Sequence, residues 1–127
     1  MIINTPVSLG ELVDKISILH IKNINIKDEQ KLKLVRDEID ILNKILEDHI
    51  KRKDIQQYLN LLIEINSKLW IIEDDIRDCE RNKIFDQKFI DLARSVYFTN
   101  DKRSDVKLKI NKKFGSIIIE VKSYEEY

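Results

Sequence analysis

The chain has 127 residues with 23 basic and 23 acidic side chains and 43% hydrophobic residues, but only two glycines and one proline. Pro6, Gly10 and Gly115 lie near the ends, so residues 11 to 114 contain neither residue type. This excludes a glycine-rich phosphate loop and an all-β domain, which needs turn residues about every 8–12 positions.

What remains is a single helical domain over residues 1–127, long enough to bury a core without metals or disulfides. Cys79 is the only cysteine. Residues 1 to 15 lack the basic and apolar regions of a signal peptide, and no stretch approaches the roughly 18 apolar residues of a membrane span. The expected setting is cytoplasmic. Zero net charge removes the electrostatic footprint of a nucleic-acid binder.

Met1 to Thr5 reads as extended, and Pro6 biases Thr5 away from helix. Ser8-Leu9-Gly10-Glu11 spells a capping box, with Val7 and Leu12 placed as a hydrophobic staple. Leu9, Leu12, Val13, Ile16, Leu19 and His20 then recur at helical spacing, so a first helix is expected to reach about Lys22. Asn23 to Lys27 connects it to a second helix capped by Asp28. Leu32, Val35, Ile39, Leu42, Leu46 and His49 form the seam of that helix. Residues 51 to 53 break the pattern, and Asp54 is placed to cap a third helix. Its seam is the most regular in the chain: Ile55, Tyr58, Leu62, Ile65, Leu69, Ile72, Ile76 and Cys79. These two seams predict a long antiparallel hairpin spanning roughly 30–40 Å.

Leu59, Ile63 and Trp70 form a second stripe on the third helix, wider than one partner helix needs. Either that helix is central, or the stripe is an oligomer interface. Asp86 caps a fourth helix with Phe89, Ala93 and Val96 inward. Asn100 is read as the cap of a fifth, whose buried stripe is Val106, Ile110 and Phe114 and whose left-handed stop is Gly115. Ile117 to Val121 is β-branched and is placed to pair with Ile2-Ile3 as a short ribbon. The expected class is mainly α, a helical bundle with short extended termini.

Two segments of opposite charge carry the polar candidates. Glu73 to Glu80 holds five acids against Arg77, and Lys102 to Lys113 holds six bases against Asp105. Glu73 and Arg77 have the spacing of an intrahelical pair, with Glu80 on the same flank. Ala93 to Lys107 concentrates Arg94, Tyr97, Asn100, Asp101, Lys102, Arg103 and Lys107. A helix start at Asn100 offers unpaired N–H groups to an anion, and Arg94 and Arg103 can add bidentate contacts. Alternatively, Asp101 fills that field and Arg–Asp pairs stitch the turn to the acidic flank. Helical carboxylates for metal-assisted hydrolysis fail on geometry: Asp37, Asp40 and Asp78 point away from the seams. His20 and His49 read as packed side chains, and no zinc set is present. No metal or cofactor is expected.

The segments Pro6 to Lys22, Leu69 to Glu80 and Phe89 to Asn111, with Gly115-Ser116 and Lys122 to Tyr124, resemble a family of short bacterial proteins catalogued as a domain of unknown function. The resemblance implies no activity, cofactor or catalytic residue. It suggests a setting among surface-polysaccharide or lipopolysaccharide genes. Two functions are therefore expected. One is a small cytoplasmic interaction or assembly protein, self-associating through Leu59, Ile63 and Trp70 or binding a protein partner. The other is a binding protein or enzyme for a small anion, a sugar phosphate or nucleotide sugar. There Glu73, Arg77 and Glu80 would face Arg94, Tyr97, Asn100 and Arg103.

Overall fold

A computed structural model describes residues 1–127 and contains four helices and no strand. They are α1 (Leu9–Asn25), α2 (Glu29–His49), α3 (Arg52–Arg81) and α4 (Gln87–Lys113). Ser8 caps α1 by accepting from Glu11 N–H at 3.1 Å. Asp28 does the same for α2 through Lys31 N–H, and Asp86 for α4 through Phe89 N–H. Gly115, at φ +67°, closes the last helix in the left-handed region.

Four expectations change. Asn100 starts no helix: α4 runs unbroken from Gln87 to Lys113. Arg103, Lys107 and Asn111 must fall on one face to reach α1, and that packing outweighs the few tenths of a kcal/mol by which Asn disfavours helix. Asp54 lies inside the first turn of α3, where Lys51 takes the cap position without a side-chain cap bond. The break is thus confined to Ile50 and Lys51. Neither terminus is a strand, and Ile2 and Ile3 are exposed. A two-stranded ribbon is marginal without a packed face, and the carboxyl-terminal segment is instead held against α4 by ion pairs. Finally, α2 and α3 follow each other in sequence but do not pack as an extended pair.

Between them stands α1, which packs on α2, α3 and α4, while α3 also packs along α4. Leu12, Val13 and Ile16 of α1 join Leu46, Ile55, Leu59, Leu62, Ile65, Val106 and Ile110 in the main core. Leu19 meets Val35 and Ile39 of α2 in a smaller cluster. Leu59 is 2% exposed, so it belongs to the interior and is removed from the interface candidates. Ile63 and Trp70 are half-buried.

The 30 residues of α3 and 27 of α4 make rods of about 45 and 40 Å, against about 25 Å for the 17 of α1. The α3–α4 hairpin therefore outruns the bundle. Between Asn66 and Val106 the sole buried residue is Cys79. The hairpin turns without glycine, because Lys83 adopts the left-handed region at φ +54° and Ile84 N–H bonds Cys79 carbonyl.

Gly10 lets α1 touch α4. A Cβ there would lie 2.6 Å from the Lys107 carbonyl oxygen and 3.0 Å from Asn111 Oδ1. Backbone cannot yield as a side chain does, so Gly10→Ala should destabilise the fold by about 1–3 kcal/mol. Urea unfolding measures this cost, and an unchanged midpoint would contradict the close approach.

Candidate functional site

Gly10, Asp14, Ser17 and Ile21 recur at steps of 4, 3 and 4, which places them on one face of α1. Arg103, Lys107 and Asn111 recur every four residues on α4. Where these faces meet, the core turns polar. Asp14 is 1% exposed and accepts from Arg103 Nε at 2.9 Å and from its Nη2. Asn66 of α3 donates through Nδ2 to Asp14 Oδ1 at 2.9 Å and to Ser17 Oγ at 2.8 Å. Ser17 Oγ–H donates in turn to the Asp14 carbonyl. Asn111 Oδ1 accepts from Gly10 N–H at 2.7 Å.

Lys107, 7% exposed, donates to Glu11 at 2.8 Å and to Glu120 at 2.7 Å, with Asp14 Oδ2 at 4.0 Å. The Glu11 carboxylate thus leaves the capping-box role expected for it. Burial pushes the Lys107 ammonium down, but its bonds to Glu11 and Glu120 and the charge of Asp14 outweigh it and hold its pKa above the usual lysine value. The Asp14 hydrogen bond raises Arg103 in the same way. Both cations stay charged, facing three carboxylates.

The carboxyl-terminal segment runs back along α4 as a strap. Ser116 Oγ accepts from Leu9 N–H, Glu120 bonds Lys107, and Lys122 pairs with Asp101 at 2.6 Å. Tyr127 O–H donates to Asp101, and its ring meets Tyr97 and Phe98. The Asp101 carboxylate pushes the Tyr127 phenol up to about 12. Beneath the strap lies a polar pocket of about 450 Å³ that includes Asn100, Ser104, Lys107, Asn111 and Ser123.

A second cavity of about 490 Å³ opens where α1 leaves the hairpin. Ile18, Ile21, Leu69, Trp70 and Val96 form its apolar walls, and Asn66, Glu73, Asp74, Arg77, Asn100 and Arg103 its polar ones. The nine expected ligand residues therefore divide. Glu73, Arg77, Asn100 and Arg103 share this cleft. Glu80 points elsewhere and pairs with Lys83. Arg94 is exposed with its guanidinium over Phe98. Tyr97 and Asp101 meet the strap, and Lys107 lies beneath it.

The two charged segments do not stitch together. Glu73 pairs with Arg77 and Asp78 with Arg81, inside α3, while Arg103 takes Asp14 from α1. No helix end faces the cleft at Asn100, and its two cations are already neutralised by carboxylates. The essential member that sequence reasoning missed is Asp14. Its signal was an acid flanked by Val13 and Ile16 on a helix otherwise apolar there, in register with Gly10 and Ser17. His49 is exposed and bonds Ile45 carbonyl. His20 is half-buried, and burial, then the Arg52 charge, hold its pKa below 6.5. No three His, Cys, Asp or Glu side chains gather in a metal-holding arrangement.

Compared with known proteins, the chain matches no family model, no curated protein and no solved structure.

Removing one partner of a buried ion pair strands the other. Asp14→Ala should cost about 3–5 kcal/mol in urea unfolding, and Asp14→Leu combined with Arg103→Leu should cost less than the two single changes summed. Additive single costs would show that the pair is not coupled. For His20 the folded state favours the neutral ring, so its contribution is full above pH 6.5 and is lost as pH falls through the lowered value. The melting temperature should drop more steeply as pH falls below 6.5 in the wild type than in His20→Gln. Parallel curves would remove His20 from the pH response.

Proposed function

We propose that the chain is a helical interaction module that docks through the projecting α3–α4 arm. One observation carries this reading. Two helices with apolar residues on more than one face extend past the bundle and bury only Cys79 between Asn66 and Val106. Ile71, Ile84, Phe85 and Ile90 are exposed, Ile71 at 60% and Phe85 at 54%. Isolated exposed apolar residues are ordinary on a surface, but four on one projecting element, with half-buried ones between its helices, support a contact site. The polar network makes the base of the arm rigid. In this reading the protein works in the cytoplasm, in surface-polysaccharide assembly, the process to which the bacterial family resemblance points.

The cleft beside Trp70 favours a second reading, a small-ligand site. Its apolar wall and paired charges suit a ligand with an apolar or ring face better than a bare anion, because Arg77 and Arg103 are already engaged. Thermal shift and Trp70 emission against sugar phosphates and nucleotide sugars separate it from the first reading. A saturable response from one of these ligands supports it.

For the interaction module, a photo-crosslinking side chain at Ile90 should capture protein in living cells, whereas one at Leu34 on α2, which is more exposed still, should not. Ile71→Glu with Phe85→Glu should abolish the Ile90 adduct and leave the circular dichroism melt within a few degrees. Equal capture from both positions, or none from Ile90, would overturn the reading.

A further inference from the structure

The polar pocket beneath the strap is distinct from the docking arm. We infer that it binds a small hydroxylated carboxylic acid as its monoanion, and that the strap's Glu120 carboxylate holds the place of the ligand's own. Ligand and strap compete for the Lys107 ammonium, so binding opens the strap.

The first ground is what lies under the strap. Lys107 is 7% exposed and Asn111 1%, and both line the pocket of about 450 Å³. Four residues apart, they share one face of α4. Asn111 Oδ1 accepts from Gly10 N–H, which fixes the orientation of the amide and leaves Nδ2 donating to no protein group. Buried polar side chains normally have a partner, so a free amide beside a buried ammonium marks a place for an acceptor. Glu120 fills only half of that place. Its Oε2 meets Lys107 at 2.7 Å, and the Asn111 amide stays free. A carboxylate not tethered to the chain has an oxygen for each donor.

The second ground is how lightly the strap is held. From Ile117 to Tyr127 every residue is exposed, and no main-chain group bonds another. Past Ile118 its polar fastenings are Glu120 to Lys107, and Lys122 and Tyr127 to Asp101. Such pairs contribute little where one side chain stands at the surface. A permanent cover would bury apolar side chains, yet Val121 and Tyr124 are 83% and 78% exposed.

The third ground is charge. Glu11 lies 2.8 Å from the Lys107 ammonium and Asp14 4.0 Å. Exchanging Glu120 for another single negative charge keeps this balance. A dianion such as phosphate adds a further charge against both carboxylates at short range. Asn100 and Ser104 also line the pocket, half-buried and engaged with no other side chain. They suit the hydroxyl groups of the ligand.

D-Gluconate, a monoanionic hydroxy acid, serves as the probe in NMR titrations of the ¹⁵N-labelled full chain at fixed ionic strength. The Asn111 side-chain amide should shift saturably, and the signals of residues 119–127 should move to random-coil positions with the same midpoint. Glu120→Gln should tighten the apparent Kd about tenfold, the factor by which a strap closed about nine-tenths of the time masks the site. Lys107→Met should abolish binding. Sorbitol and inorganic phosphate should each bind at least about tenfold more weakly than gluconate. No saturable shift in either wild type or Glu120→Gln at about 10 mM gluconate would overturn the site. Equal affinity in those two proteins, or strap signals unmoved at saturation, would overturn the competition. Phosphate or sorbitol binding as tightly as gluconate would overturn the carboxylate assignment. Glu120→Gln alters only an exposed side chain, so its comparison decides the matter even where Lys107→Met loses the fold. Crosslinking from Ile90 reads the arm alone, and failure of the pocket leaves the interaction module standing.

Discussion

A buried carboxylate organises this protein. Asp14, the one buried charge of α1, has to be neutralised where it stands, because an isolated charge in the core costs far more than the fold's net stability. Arg103 reaches it from α4 and Asn66 from α3, so a single anion ties three helices in one register. A sliding contact of leucines and isoleucines tolerates several registers. A two-pronged Arg–carboxylate bond tolerates one. The neighbouring contacts extend the same logic: Gly10 and Asn111 bring the backbones together, and Lys107 gathers Glu11 and Glu120 beneath the strap.

Because that register is set at the level of Asp14, α1 becomes the hub of the bundle and its short length acquires a consequence. It covers the lower part of the α3–α4 hairpin and, further up, turns its apolar face towards Val35 and Ile39 of α2. The hairpin continues without it. The cleft and the bare arm are thus two results of one arrangement, a short central helix splayed between a separate partner and a longer pair. Polar fastening at the base and apolar exposure at the tip divide the molecule into a part that holds its shape and a part available for contact.

The helix starts at Ser8, Asp28 and Asp86 and the stop at Gly115 were legible because each depends on a local side-chain or backbone device. The Glu73–Arg77 pair was legible for the same reason. The hairpin expected from the seams of α2 and α3 was not realised. Their periodicity reports that each helix has a covered face, but it cannot say which helix covers it, and α1 fills that place. Asn100 misled in a similar way: its preference for a cap is worth less than the continuous face of α4 that Arg103, Lys107 and Asn111 require. The candidate site was partly legible. Glu73, Arg77, Asn100 and Arg103 do share a cleft, while Arg94, Tyr97, Asp101 and Lys107 go to other surfaces.

What the sequence by itself determined is the helical class and most helix boundaries, since glycine and proline scarcity, caps and apolar period act over a few residues. The tertiary structure decided that α1 is central, that Asp14 is the charge answering Arg103, and that Leu59 lies inside while Ile71 and Phe85 lie outside. Those outcomes depend on which helices meet and at what height. Pairing between helices is settled by neighbours tens of residues away, and the spacing within one helix records that a face is covered but not what covers it.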